Sequence, residues 1–353
     1  MPELMLRRRG VLAGAALLAA PAIVRKIVPV IVPGARAAQQ CVVGTWGGDY
    51  ARLLRENIDD PILKPAGIDV VQDIGDENPR VSKLYAQKKL PRGSLDIACV
   101  GALNGYRVTE AELVETLDDS KVPNLTHVLP NLRMPAFVPH IYSAQVLVYN
   151  PDTVKEPPRT MSDLLDPKWK GKIGMVSTAG SWLLQAASLH ESGTTTDFDK
   201  AKALMLKIND NGLRLYPETD NLAPAFKSGE IEVGMIWLAR SFMWRNGGFP
   251  VAGQFPKEGA ILYVSGMVLP KNAPDKEAAY KYMNALLAPS AQQGFAAHMG
   301  YLPTVDDAPL SGSVGEQLSL PEPRPKLVAP DYPVLSKALS DLNDWWLKNM
   351  QHG

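Results

Sequence analysis

The strongest constraint on the fold is an alternation of apolar blocks and amphipathic segments through the first half of the chain. Cys41-Val42-Val43-Gly44-Thr45-Trp46 is an apolar block stopped by Gly47-Gly48. Tyr50, Leu53 and Leu54 then recur at helical spacing. Ile68-Asp69-Val70-Val71 is a second short block. Asn78-Pro79 reads as an N-cap followed by Pro at the first helical position, opening a helix that carries Val81, Leu84 and Tyr85. Leu95 to Val100 is apolar except for Asp96, the pattern of a strand covered on both faces. This β-α-β-α-β order with short crossovers predicts a mainly parallel sheet flanked by helices, with right-handed connections.

A second series follows Tyr149-Asn150. Thr160 to Asp163 reads as the cap of a short helix and Lys172 to Val176 as a strand. Ser181–Ser192 and Phe198–Ile208 read as helices, and Ile231–Trp237 as a strand. Asp275 and Ser290 are expected to cap helices ending at Leu287 and His298. A last amphipathic helix carries Val334, Leu335, Leu339, Leu342 and Trp346. The Pro-rich stretch from Pro303 to Pro333 is expected to run extended over the surface. Two αβ series in 353 residues predict two domains.

The N-terminus has a different character. Arg8-Arg9-Gly10-Val11-Leu12 is similar to a twin-arginine export signal, and the uncharged run Gly10–Val24 follows it. Ala35-Arg36-Ala37 supplies small residues for cleavage. Residues 1–37 are therefore expected to be an export signal, and the mature protein to be soluble in the periplasm. Gln39-Gln40 before Cys41 is no lipobox, so no lipid anchor is expected. The whole chain balances 37 basic against 37 acidic residues, but residues 1–37 hold six of the former and one of the latter. The mature part then carries 31 basic and 36 acidic residues, a net charge of −5, which excludes a phosphate-backbone binder as the leading class. Cys41 and Cys99 rule out a disulfide scaffold. A single bond between them is left open, since they fall on neighbouring strands out of register.

No catalytic constellation stands out. The five histidines, among them His127, His140 and His190, lack HExxH or HxH spacing, so no metal is expected. GxSxG, SxxK, P-loop and GxGxxG motifs are absent, so no cofactor is expected either. What remains is a set of aromatics at strand ends, Trp46, Trp237 and Tyr263. In open α/β sheets, ligands bind beyond the carboxyl ends of strands. The segment Ser177-Thr178-Ala179-Gly180-Ser181-Trp182 lies between a strand and a helix start. Its hydroxyls and backbone N–H groups suit an anionic or accepting group, or Ser181 is a plain N-cap.

Three segments then resemble one family: Gly234-Met235-Ile236-Trp237, Phe255-Pro256-Lys257-Glu258-Gly259 and Gly300-Tyr301-Leu302-Pro303-Thr304. With Ser162-Asp163-Leu164-Leu165-Asp166-Pro167 and Trp169-Lys170-Gly171-Lys172, their order is similar to that of periplasmic solute-binding proteins of the spermidine/putrescine-binding type. These are the receptors of ABC importers. The resemblance runs with gaps over nearly the whole mature chain and is strongest from Thr219 to Thr304.

The resemblance implies a two-lobed α/β fold of the periplasmic-binding-protein type II, the lobes joined by crossing strands and closing on a ligand. Lobe I would hold residues 38–143 and 265–304, lobe II residues 144–264, with 305–353 wrapping onto lobe II. The crossings fall near Tyr142–Ala144 and Ser265. Family pocket positions map to Trp46, Tyr50, Tyr142, Trp237, Tyr263, Ser265 and Tyr301. Polyamine-binding members sandwich methylene chains between aromatics and hold ammonium ends with carboxylates. Here Ser265 stands where those members carry an Asp, and the segment Ser177–Trp182 replaces an acidic one. Arg240 is available for a carboxylate, while Asp49 and Asp220 are available for a cation. The implied ligand is thus a small polar metabolite: polyamine-like, amino-acid-derived or an organic acid. An iron ligand is disfavoured, because iron-binding relatives use adjacent tyrosines and this chain has none. The expected partner is an inner-membrane ABC permease, and the receptor is expected to be a monomer. Two other readings are an exported enzyme drawing on Asp49, Asp220 or His140, and a ligand-binding partner of a sensory receptor.

Overall fold

The computed structural model describes residues 39–350. The export-signal expectation for residues 1–37 lies outside them. The first αβ series forms β1 (Gln39–Thr45), α1 (Gly48–Leu54), β2 (Ile68–Ile74), α2 (Glu77–Gln87), β3 (Ile97–Gly101) and α3 (Ala102–Glu110). A long strand, β4 (Val138–Tyr149), follows. The second series forms β5 (Ile173–Val176), α4 (Gly180–Ser192), α5 (Phe198–Asp210), β6 (Leu213–Tyr216), α6 (Thr219–Lys227) and β7 (Val233–Trp237). The remainder comprises α7 (Leu238–Asn246), β8 (Ala252–Gln254), β9 (Ala260–Val268), α8 (Lys276–Leu286), α9 (Pro289–Met299) and β10 (Leu302–Pro303). It closes with α10 (Gly312–Leu318), β11 (Leu327–Val328) and α11 (Tyr332–Met350).

The two series build the same arrangement twice. In each, three parallel strands pair with the first strand in the middle, β2-β1-β3 and β6-β5-β7. The parallel core is bounded by antiparallel strands. β9 pairs with β3 and with the first part of β4, while the last five residues of β4 pair with β7. β4 thus leaves one half of the molecule and enters the other. Separate apolar clusters form on the two sides, one around Leu53, Ile97, Phe137 and Tyr282, another around Leu164, Ile173, Leu184 and Trp346. No helix of the described residues is long and apolar enough to cross a membrane.

Local structure follows the sequence signals with some displacement. The Thr160/Asp163 capping box forms, and the Asp275 side chain accepts from the Ala278 N–H at 2.9 Å. The helix signalled by Asn78-Pro79 starts earlier than expected: Asp76 is the N-cap of α2, and Pro79 is its third residue. The buried face of α2 is also rotated. Arg80 and Leu84 are buried, whereas Tyr85 is 39% exposed. Ala288 rather than Ser290 is the N-cap of α9, with Pro289 at the first helical position. The Pro-rich stretch is not wholly extended, because α10 forms within it; its β11 segment is extended and pairs with β9. In α11, Leu335, Leu342 and Trp346 are buried and Val334 is 39% exposed. The Trp346 indole covers Gly180, where a Cβ would lie 2.5 Å from the ring. Cys41 and Cys99 are free and buried; β1–β3 pairing places Gly44 beside Ala98, so the two thiols stand several residues apart in register.

Asp96, the one charge in an otherwise apolar block, has a structural task. It is 1% exposed, and its carboxylate accepts from the Val42 N–H at 2.7 Å and the Asp275 N–H at 2.6 Å. It therefore ties β1 to the start of α8, using one oxygen for each. Asp96→Asn turns an amide NH2 toward one of these donors and leaves a buried N–H unpaired. The substitution should destabilise the fold by about 2–3 kcal/mol, read by urea unfolding with circular dichroism.

Candidate functional site

The site forms where the strand ends of the two halves face each other. Past Thr45, β1 turns through Trp46-Gly47-Gly48 into α1. Gly48 sits at φ +62°, a left-handed conformation that favours glycine. This tight turn throws Trp46 toward the opening and buries Tyr50 one turn into the helix. From the other half, β7 turns at Trp237 into α7, whose Ala239 N–H donates to Ser143 Oγ of β4 at 3.1 Å. That bond fixes the first turn of α7 and with it Arg240. Between them, β9 presents Tyr263 and Ser265 on one face, and the turn after α9 brings Tyr301.

These side chains line a cleft of about 460 Å³. Rings form much of its wall: Trp46 meets Tyr50 edge-on at 5.0 Å, and Tyr263 lies 6.1 Å from Tyr301. Trp182 and Trp237 pack edge-on at 4.9 Å and continue the aromatic surface against Tyr263, at 5.8 and 5.2 Å. Ser265 is 1% exposed, and its Oγ has no hydrogen-bond partner among the described residues. A buried hydroxyl without a partner carries a desolvation cost that a bound ligand can relieve. Burial raises the Tyr263 and Tyr301 phenols above their ordinary range, so both remain protonated donors. Arg240 donates only to Met243 Sδ, at 3.9 Å, and has no carboxylate within ion-pair distance among the described residues. Of the two acids on the lining, Asp49 is paired with Arg52 at 3.0 Å, while Asp220 on the first turn of α6 is exposed. Behind the wall, Tyr50 Oη lies 2.7 Å from His140 Nδ1, and His140 Nε2 is buried without a partner.

The sequence profile of the family described as bacterial extracellular solute-binding protein matches residues 66–320. The chain belongs to this family. The spermidine/putrescine-binding periplasmic protein of Escherichia coli (strain K12) is 28% identical over 253 residues, covering 67% of this chain and 71% of that protein. Among solved structures, a putative extracellular solute-binding protein from Bordetella parapertussis superposes with a TM-score of 0.78 at 20% identity, over 89% of this chain and 100% of that one. An ABC transporter substrate-binding protein from Bradyrhizobium japonicum USDA 110 gives 0.76 at 23% identity, over 89% and 100%. This solute-binding protein is a receptor and not an enzyme, and the two-lobed α/β fold of its relatives is the fold described above.

Of the positions marked in the sequence of this solute-binding protein, the structure brings Trp46, Tyr50, Arg240, Tyr263, Ser265 and Tyr301 onto one cleft, together with Asp49 and Asp220. Trp182 and Trp237 stand beside Tyr263 without lining the cleft. Tyr142 is elsewhere. β4 has a bulge at His140: Pro139 pairs with Gly266 and Ile141 with Ser265. The extra residue exchanges the faces of the strand beyond it. Ile141 consequently shares the cleft face with Ser265, and Tyr142 pairs with Val264 on the other side, near Leu302 and Leu318. Ser177 lines a separate cavity with Tyr216 and Glu230, and Thr178 is exposed. Ser181 lies inside the first turn of α4, whose N-cap is Ala179, and no side chain among the described residues caps that helix. Sequence reasoning did not mark Ile141, Met243 and Met299 of the lining, nor Arg80, whose guanidinium lies 5.3 Å from the Trp46 ring centroid. A signal for Arg80 exists: it precedes Leu84 by one helical turn, so a cation occupies a core-facing position.

His140 gives a measurable pH signature. Burial lowers its pKa from the ordinary 6.5 to about 3, so the folded protein holds it neutral. The unfolded chain binds that proton first as pH falls. Its contribution is therefore complete above the ordinary pKa of 6.5 and is lost as pH falls toward about 3. Replacing His140 with Gln should flatten the dependence of unfolding free energy on pH across that window by up to ~1.4 kcal/mol per pH unit. Urea titrations of both proteins at several pH values measure the difference, and parallel slopes would remove His140 from the account.

Proposed function

We propose that this protein captures one small polar metabolite in the cleft between its two halves and delivers it, as a periplasmic monomer, to the permease of an ABC importer. The observation that carries this reading is the composition of the cleft wall. An unpartnered Ser265 hydroxyl, two protonated phenols and an uncompensated guanidinium sit among aromatic rings at the carboxyl ends of the parallel strands. Polar groups left without partners inside a concave, aromatic-walled surface mark a preformed ligand site.

Capture is coupled to closure about β4 and β9. The crossing lies where Tyr142, Ser143 and Ala144 pair with Val264, Tyr263 and Leu262. Residues 38–143 and 265–304 then form lobe I and residues 144–264 lobe II, with residues 305–353 following onto lobe II. Ser143 and Tyr263 sit on the crossing itself, so a ligand touching Tyr263 reports directly to the hinge. The relatives named for spermidine and putrescine agree with an aromatic slot that accepts a short aliphatic chain.

Small-angle scattering of the mature protein with a panel of polyamines, amino acids and organic acids should show a smaller radius of gyration for at least one compound. Tyr263→Ala should weaken binding of that compound by about 1–3 kcal/mol, the range for stacking losses on aromatic platforms, with little change in thermal midpoint. Calorimetric titration reads the first and a thermal melt the second. Loss of fold with unchanged affinity would return Tyr263 to the core.

A further inference from the structure

We infer that the cleft is shaped for a zwitterion, a small amino-carboxylate, and that Arg240 and Arg80 are the residues that turn away a diamine. The inference deepens the receptor reading and rests on it. The charged side chains on the lining are Asp49, Asp220 and Arg240. Asp49 is taken by Arg52, which also holds Glu56 at 2.7 Å. Among the described residues, Asp220 and Arg240 have no oppositely charged group within 4.0 Å. One acid and one base left over on the same wall are the complement of a molecule with one ammonium and one carboxylate. A diamine satisfies Asp220 and sets its second ammonium against a guanidinium in a space that closure dries.

The donors around Arg240 point the same way. Ser265 Oγ, the Tyr263 and Tyr301 hydroxyls and the guanidinium are all able to donate, and a carboxylate accepts from several donors at once. The hydroxyls accept as well as donate and so tolerate either group, but an ammonium has three donors of its own and no lone pair, so it leaves the guanidinium unanswered.

Trp46 supplies an independent observation. Its ring lines the cleft, and the Arg80 guanidinium lies 5.3 Å from its centroid on the protein side. Arg80 is 4% exposed and has no carboxylate within 4.0 Å among the described residues. It donates to the carbonyls of Cys99 and Gly75, each at 2.6 Å. The position is built into the strand beside it: a Cβ on Gly44 would fall 2.9 Å from Arg80 Cδ. An indole attracts cations through its π-face. Here a permanent cation already occupies the buried side, and its field opposes a second cation approaching from the cleft. Trp46 therefore serves as an apolar wall for the spacer of the ligand and not as an ammonium platform. The carboxylate sits at Arg240 and the ammonium at Asp220.

A four-carbon series isolates charge from shape. Putrescine, 4-aminobutyrate and succinate, with shorter and longer members of each class, are titrated calorimetrically into the mature protein, with scattering on the same samples. An amino acid of the series should bind at least about tenfold tighter than the diamine and the diacid of its own length. Arg240→Gln should weaken that amino acid by at least about tenfold and leave the diamine no weaker. Arg80→Met should narrow the gap between amino acid and diamine. Should that variant fail to fold, Arg240→Gln on the half-buried lining carries the test alone. Tightest binding of a diamine, with closure, overturns the zwitterion and leaves the receptor reading standing. No binding and no closure with any member overturns both.

Discussion

The architecture hangs on one antiparallel ladder, β4 against β9. β9 joins β3 to the first part of β4, the last part of β4 joins β7, and the two parallel trios reach each other through these strands. Because β3 and β7 pair with opposite ends of this ladder, the two three-stranded cores are held with their carboxyl edges toward a common space. The turns that follow those edges carry Trp46, Gly101 and Trp237. A site made this way needs no long loops, since the ends of regular elements already converge.

Electrostatics sharpens what the scaffold assembles. Near the opening, Arg52 bridges Asp49 and Glu56 on the exposed side of α1, one cation held between two carboxylates. Exposed pairs of this kind contribute little to stability, but they hold the Arg52 side chain over α1. Arg80 is the opposite case, a buried cation satisfied by main-chain oxygens and an indole face. Burying a charge without a counter-ion is costly, and the two short bonds to the Cys99 and Gly75 carbonyls offset it. The same two bonds stiffen the junction of β2, α2 and β3 behind the cleft.

Much of this was legible in the residues. The apolar blocks, the alternating order and the family segments marked the fold; strand-end position marked Trp46 and Tyr263 of the cleft, and the family resemblance added Tyr50, Ser265 and Tyr301. What escaped was set by single residues. The bulge at His140 adds one residue to β4 and so moves Tyr142 to the far face. Nothing in a run of apolar and aromatic residues signals such an insertion, because either register buries it equally well. The rotated face of α2 escaped for a related reason. The sequence marked only the apolar Val81, Leu84 and Tyr85, whereas the Arg80 guanidinium finds carbonyl partners within the fold. Ser181 looked like a cap, yet α4 begins one residue earlier at Gly180, beneath the Trp346 ring.

The seat of Trp346 on Gly180 has a consequence for the order in which the protein is made. The apolar cluster of the second half includes Leu335, Leu342, Trp346 and Met350, all from the last helix. The sheet of the first half waits in turn for β9, which the ribosome supplies only after the second series is complete. Neither half is contiguous in the chain. Domains ordinarily consolidate from the N-terminus as they are synthesised. Here the first core has to wait for β9 and the second for α11, so each stays open while the segments between are made.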